Sequence, residues 1–509
     1  MQILLVYISV GLGNNRTCLI FGYDYSENLL FLGCDYIKMV IFACENKRDM
    51  AYYSRKVDER LLTWRNDPKH KPLLIRGARQ VGKSTAVRKL GETFKYFVEI
   101  NLEKQPSLKA LFPEDIDVKK TCSNLSATVG IPIIPEETLL FIDEIQGCVP
   151  AIMSLRYFKE DYPELHVIAA GSLLEFALEE IPSFAVGRIR SLYMYPFSFD
   201  EFMNAQGLGL QLDAVRAASP DQPLVDTLHK QLTDQLRTFM LVGGMPEAIS
   251  TWVETHDYLA CARVHNDIME TYQDDFNKYK KRISPDLLRK VLRSVARQCG
   301  TKFIYNRADE ESRSEKVKHA LHKLVLAGLV TPVTHTAADG VPLGAQENER
   351  SIKYLFLDTG LLLTWQGIPA SDILLASDVD LVNKGPMAEV LAGLEIIKNE
   401  DCFQRTEVFY WQHESKNGNA EVDYLEVCGG VVLPIEVKAS TQGAMQSLYL
   451  FMRKKRLHTA VRTSLENFGA YDYIDTMPEN NDPNPLRHIE IYPLYALSHL
   501  TTETLIGSI

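Results

Sequence analysis

Residues 71–90 constrain this chain more than any other stretch. A short apolar run at 71–76 reads as a buried strand and passes directly into Gly77-Ala78-Arg79-Gln80-Val81-Gly82-Lys83-Ser84. The spacing is G-x-x-x-x-G-K-[ST], and Thr85 opens a helix candidate that continues to residue 90. Each residue type has a physical reason. Gly77 and Gly82 permit the tight backbone path that aims successive N–H groups at phosphate oxygens. Lys83 neutralises the β and γ phosphates, and Ser84 offers a hydroxyl to Mg²⁺. The following helix presents its positive end to the anion. Residues 77–85 are therefore the nucleotide-binding candidates, with ATP and Mg²⁺ as the implied ligands.

Such a loop needs an acidic strand beside it. Thr138-Leu139-Leu140-Phe141-Ile142-Asp143-Glu144 is a buried-strand run that ends in two carboxylates. Asp143 can hold Mg²⁺, and Glu144 can orient or activate the attacking water. The next strand candidate, residues 166–170, ends at Gly171-Ser172. Ser172 can contact the γ-phosphate or the water, or can simply cap the next helix. Arg188 can reach a phosphate in its own site or a neighbour's, or can be an exposed arginine.

Together these residues resemble a prokaryotic AAA+ ATPase family that joins a P-loop domain to a C-terminal domain of unknown function. The resemblance spans roughly residues 50–480. It is carried by RGARQVGKST (76–85), LLFIDEIQ (139–146), AAGSLLE (169–175), VGRI (186–189), YPFSFDEF (195–202) and LVGGMPEA (241–248). It implies an ATPase with a helical lid, the lid containing the Gly243-Gly244-Met245-Pro246 turn.

At 509 residues, about three domains of ~150 residues are expected. No apolar run reaches the ~18 residues that span a bilayer. Residues 1–12 lack the basic start and cleavage site of a signal peptide. Nine cysteines without CxxC spacing fit packing thiols in a reducing cytoplasm. Residues 1–49 have apolar bursts without sustained periodicity and read as an extension, a start assigned too far upstream, or an extra hairpin.

The net charge of −11 hides a polarised middle. Residues 278–323 hold fourteen Lys and Arg against five acids, a local +9. That polarity points to an anionic partner, DNA or RNA. Ser284-Pro285 reads as a helix start. Val317, Ala320, Leu321 and Leu324 give helical spacing, with Lys316, Lys318, His322 and Lys323 elsewhere around the helix. Gly328 stops that helix, and residues 329–334 can pair with 353–357. Helices followed by a two-stranded wing make a winged helix-turn-helix, which the family resemblance also implies. Its 314–326 helix either reads DNA or serves packing and protein contacts.

Near the C-terminus, Glu421-Val422-Asp423-Tyr424-Leu425-Glu426-Val427 and Val431-Val432-Leu433-Pro434-Ile435-Glu436-Val437-Lys438 flank a Gly429-Gly430 turn. This predicts a hairpin. Alternation puts Glu436 and Lys438 on one face, and strand pairing can bring Asp423 beside them. A helix opening at Gly385 can add Glu389. Convergent carboxylates bind Mg²⁺, and the lysine can position or activate water. The pattern resembles the PD-(D/E)xK nuclease fold.

The expected architecture is α/β and multidomain. An extension (1–49) precedes a three-layer P-loop AAA+ core with a helical lid (50–275). A winged-helix module (276–375) and a restriction-endonuclease-like domain (376–509) follow. Three outputs compete: a nucleic-acid-acting ATPase with a nuclease end, an ATP-driven switch on a protein partner, and an ATP-dependent DNA binder without cleavage. Homo-oligomerisation is open, and no membrane partner is expected.

Overall fold

The structure is a computed structural model and describes residues 4–12, 15–23, 52–172, 174–179, 181, 187–279, 283–367, 385–415, 418–439, 445–475 and 484–500. Residues 1–52 and 53–509 form two compact units. In the first, β1 (Leu4–Leu12) and β2 (Asn15–Tyr23) make an antiparallel hairpin. The burst at residues 29–32 lies outside the described residues.

The second unit begins with a parallel sheet of β3 (Leu73–Arg76), β4 (Tyr96–Asn101), β5 (Thr138–Asp143), β6 (His166–Ala170) and β7 (Arg190–Tyr193). Their order is β4-β5-β6-β3-β7, with every pairing parallel. Alternate residues feed two separate cores. Leu73, Ile75, Phe141, Ile168 and Ala170 pack on one side; Leu74, Leu140, Ile142, Val167 and Ala169 pack on the other. That two-sided burial makes the strands continuously apolar and the domain three-layered. The loops after β3, β5 and β6 meet at one end of the sheet.

Five helices follow between Phe199 and Asp275. Phe199–Ala205 carries a capping box in which Ser198 and Glu201 satisfy each other's backbone N–H groups. The turn into Pro246–Thr255 requires its glycines. Gly243 has φ +68, and a Cβ on it would lie 2.2 Å from Asp358 Oδ1. A Cβ on Gly244 would lie 2.3 Å from the Phe197 carbonyl oxygen, and the Gly244 N–H donates to Asp358 Oδ2 at 2.5 Å.

Helices Pro285–Arg297 and Ser314–Leu326 lead to an antiparallel pair, β8 (Val330–Thr336) and β9 (Glu347–Phe356). Val330 faces Phe356 and Val333 faces Lys353, close to the pairing read from the sequence. This pair is not a free-standing wing. Strands β10 (Val408–Ser415), β11 (Gly418–Cys428), β12 (Val431–Val437), β13 (Thr459–Ser464), β14 (Gly469–Ile474) and β15 (Leu486–Pro493) complete one eight-stranded mixed sheet. Its order is β14-β15-β13-β12-β11-β10-β8-β9. The second edge of β8 pairs in parallel with β10, Val333 against Val408 and Tyr410 against His335. The boundary drawn at 375/376 falls among residues outside those described, and the sheet runs across it. Within 385–464 the order is helix Gly385–Asn399, the β10–β11–β12 meander, helix Gln446–Lys455, then β13 parallel to β12.

Candidate functional site

The first site forms where β3, β5 and β6 end. Gly77 has φ +140, and a Cβ there would lie 2.1 Å from the Met194 carbonyl oxygen, so no larger residue fits. Gly82 has φ +95 and starts helix Lys83–Gly91. The Lys83 ammonium is buried and donates to the carbonyls of Gly77 at 2.8 Å and Ala78 at 2.6 Å. Burial lowers its pKa to about 8, offset in part by Glu144 and Asp143. An ammonium held only by neutral carbonyls gains more from an arriving phosphate than one already ion-paired.

Ser84 Oγ donates to Asp143 Oδ2 at 3.2 Å, which brings the two expected Mg²⁺ ligands together. Asn101, at the end of β4, donates from Nδ2 to the same oxygen at 3.2 Å. Burial, with help from Glu144, raises the Asp143 pKa. Glu144 sits in the left-handed region at φ 50, which turns its carboxylate away from the line of β5. Glu144 Oε2 accepts from Gln146 Nε2, from Ser172 Oγ at 3.4 Å and from the Ser172 N–H at 3.5 Å. Ser172 thus holds the glutamate. Gly171 leaves room for Gln146, since a Cβ there would lie 1.9 Å from Gln146 Oε1.

The rest of the loop is clamped from outside. Arg79 Nη1 bonds both oxygens of Asp275 at 2.8 and 2.9 Å, and the Tyr272 hydroxyl donates to the Arg79 carbonyl at 2.7 Å. Both partners lie on helix Tyr258–Asp275. Val81 is fully buried, and its carbonyl accepts from Arg55 Nη1 at 3.2 Å. Gln80 takes φ 64, and Thr85 is exposed. Gly328, φ +72, lies against the loop, since its Cβ would be 3.1 Å from the Ala78 nitrogen.

Arg188 needs a correction. It precedes β7, which runs parallel to β3 with Arg190 opposite Leu73. It therefore lies at the strand-entry end of the sheet, while the phosphate loop lies at the exit end. Its guanidinium is about half exposed and pairs with Glu160 at 3.1 Å. Arg188 does not reach the phosphate site of its own chain.

The second site lies on the mixed sheet. The β11–β12 ladder begins with Tyr424 opposite Ile435, and Asp423 and Glu436 follow next on their strands, close enough for the Asp423 charge to raise the Glu436 pKa. Asp423 Oδ2 accepts from the Val437 N–H at 2.8 Å. Lys438 Nζ donates to Glu436 Oε1 at 2.5 Å. Glu436 Oε2 is buried and has no hydrogen-bond partner among the described residues. Glu389 arrives from helix Gly385–Asn399, so all four residues expected from the sequence converge. Two more join them. Glu421, two positions before Asp423, shares its face, and oxygens of Glu389, Glu421 and Asp423 lie within 4.8 Å of one another. Lys353 of β9 donates to Glu389 Oε1 at 2.8 Å and to Glu421. Burial, reinforced by Asp423, pushes both Glu389 and Glu436 up to about 8; Lys353 offsets part of this for Glu389, and Lys438 for Glu436. Oxygen-only donors around an orphaned carboxylate oxygen fit a hard divalent cation such as Mg²⁺.

Part of the basic middle is engaged in ion pairs. Lys323 is buried and pairs with Glu179 at 2.7 Å, beside His322 at 2.6 Å. Lys278 pairs with Asp275, Arg289 with Asp286, Lys290 with Asp309 and Lys302 with Glu414. Lys318 lies over the Tyr305 ring. Lys316 and Arg313 are exposed, and Lys280, Lys281 and Arg282 lie outside the described residues.

Residues 69–203 match the family model of an AAA domain. Residues 233–372 and 384–478 each match a domain of unknown function, DUF8612 and DUF4143. Residues 69–203, with their parallel sheet, form a P-loop AAA-like α/β domain. No curated protein matches the chain. Among solved structures, a point variant of RuvB from Thermotoga maritima is 14% identical, over 54% of this chain and 88% of that one, with a TM-score of 0.26. The Hsp104–ADP complex of S. cerevisiae is 14% identical, over 54% and 38%, with a TM-score of 0.25. Both scores are low, and the architecture stands on the strand order, the loop geometry and the AAA-domain match. No helix among the described residues is long and apolar enough to cross a membrane.

Proposed function

We propose that the chain is a Mg²⁺-dependent ATPase whose C-terminal unit cleaves nucleic-acid phosphodiesters with a second Mg²⁺ site. The observation that carries the ATPase half is the convergence of Lys83, Ser84, Asp143 and Glu144 at one sheet end. On nucleotide binding, Lys83 exchanges the Gly77 and Ala78 carbonyls for phosphate oxygens. Ser84 and Asp143 are the residues that would hold Mg²⁺, which would supply positive charge to the phosphoryl oxygens. Glu144, aimed by Ser172 and Gln146, takes the proton of the attacking water. Arg188 lies on the sheet end away from its own loop, where in a homo-oligomer it would serve a neighbour's phosphates.

The cleavage half is supported by Asp423 bonding the backbone beside Glu436, with Lys438 on the Glu436 carboxylate. These carboxylates would hold the ion that polarises the phosphate. Lys438 would position a water whose oxygen bonds phosphorus as the ester P–O bond breaks, a carboxylate of the cluster taking the water's proton and the departing oxygen taking one from solvent. Nicking of DNA or RNA in Mg²⁺ or Mn²⁺ tests this. Asp423→Ala abolishes it while ATP turnover continues; cleavage by that variant removes the assignment.

A second reading, an ATP-driven switch on a protein partner, draws on one observation. The Ser314–Leu326 helix is tied to the ATPase through Lys323 and Glu179 rather than free for a DNA groove. ATP turnover with and without single- and double-stranded DNA decides between them. Stimulation selects the nucleic-acid reading, and indifference selects the protein partner.

A further inference from the structure

The carboxylate cluster on the mixed sheet already contains a cation, and that cation is a side chain. Lys353 comes from β9, outside the 385–464 segment that supplies every other group of the site. Its side chain is 1% exposed. Nζ stands 2.8 Å from Glu389 Oε1 and also bonds Glu421. These two carboxylates and Asp423 present oxygens within 4.8 Å of one another, a spacing in which a single cation is shared. The other flank is different. Glu436 is 4% exposed, Lys438 holds its Oε1, and its buried Oε2 has no partner among the described residues. Asp423 lies between the flanks: its Oδ2 accepts from the N–H of Val437, the neighbour of Glu436, and it lies within reach of Glu389.

We propose that Lys353 is a resident cation that takes one of two cation positions in this cluster, so that the site binds a single divalent ion, between Asp423 and the unpartnered oxygen of Glu436. The inference rests on the reading of Asp423 and Glu436 as metal ligands. Charge supports it. Once metal displaces the protons that Glu389 and Glu436 hold in its absence, four carboxylates (Glu389, Glu421, Asp423, Glu436) face two ammoniums (Lys353, Lys438), which leaves two negative charges, the charge of one divalent ion. Coordination supports it as well. An ammonium offers three donors and accepts nothing, so it satisfies Glu389 and Glu421 without binding water or substrate oxygen. A divalent ion keeps open positions for both. The two flanks therefore differ in kind: one holds a permanent side-chain cation that ties the helix of Glu389 to Glu421, and the other is left to exchangeable metal.

The test counts ions in the full chain without nucleotide. Asp143→Asn serves as background, to remove the P-loop ligand, and bound Mn²⁺ is measured by electron paramagnetic resonance. The background protein binds one Mn²⁺, and adding Glu436→Gln removes it. Lys353→Met raises the count to two. If that variant folds only with metal present, its unfolding midpoint climbs with Mn²⁺ far more steeply than the background's. Glu421→Gln, which keeps Lys353, still binds one ion. Two ions in the background, one in Lys353→Met, no steeper Mn²⁺ dependence of its midpoint, or loss of the ion in Glu421→Gln each overturn the role of Lys353 and leave the metal site standing. No ion in any form overturns the metal reading itself, and this inference with it.

Discussion

Lys83 and Lys353 are both buried, and each lies beside carboxylates, yet the protein holds them in opposite ways. Lys83 bonds two backbone carbonyls, and burial pulls its pKa down to about 8. Lys353 bonds two carboxylates, and their charge, with that of Asp423, raises its pKa against the pull of burial. The first ammonium has been taken from water without an ion partner, and a phosphate would supply one. The second is already matched. A lysine's burial alone thus says little about its role; what its nitrogen touches separates a ligand-binding charge from a structural one.

The largest effect that sharpens this contrast is catalytic. Glu144→Gln keeps the shape that Ser172 and Gln146 hold but cannot take a proton, so ATP turnover falls by about 10²–10⁴-fold with nucleotide affinity retained. Single-turnover hydrolysis beside equilibrium binding measures it, and wild-type turnover in the variant removes Glu144 from the proton-transfer role. Mn²⁺ binding at the mixed sheet stays unchanged.

The next effect compares the two lysines directly. In nucleotide-free, metal-free protein, Lys353→Met strips a buried ion pair of one partner and costs about 3–5 kcal/mol. Lys83→Met loses two hydrogen bonds but also relieves a desolvated charge, so its stability stays within about 1 kcal/mol of wild type. Denaturant unfolding, followed by hydrogen exchange in each sheet, reads both. Equal losses would mean that the protein holds the two lysines alike.

The smallest effect is a difference in pH response. His166, at the start of β6, is buried beside His70, and burial lowers its pKa to about 4. Unfolded, it titrates near 6.5, so it takes up protons more readily unfolded than folded. The P-loop sheet therefore loses stability as pH falls from about 6.5 towards 4. Glu389 and Glu436 are raised to about 8 and run the other way. Folded, they hold protons that the unfolded chain releases, so in chelated buffer the mixed sheet loses stability as pH rises from about 4.5 to 8. Hydrogen exchange at pH 5 and pH 8 reads both sheets in one sample. A common direction in both would contradict these assignments.

Much of the first site was legible in the sequence because its parts are local. Residues 77–85 lie on one loop and the first turn of its helix, and Asp143 and Glu144 lie at the end of one strand, so spacing gave their approximate place. The Asp423–Glu436–Lys438 face was legible for the same reason, since a glycine turn and a two-residue period set its register. Glu421 was readable too, by alternation from Asp423, although no role was drawn for it. Asn101 carried no signal beyond polarity at a strand end, and Gln146 stood in the LLFIDEIQ stretch without a role of its own.

What the sequence determined by itself was therefore whatever short-range geometry controls: the phosphate loop, the acidic strand ends, the hairpin face and the two-sided burial of β5 and β6. Tertiary structure alone decided the rest. Strand direction put Arg188 at the far end of the sheet from Lys83. Parallel pairing of β8 with β10 merged the expected wing with the C-terminal strands. Packing drew Lys323 onto Glu179 and Lys353 into the carboxylate cluster. These contacts join residues far apart in the chain, where hydrophobic period and residue spacing carry no information about which partner a strand edge or a buried charge will find.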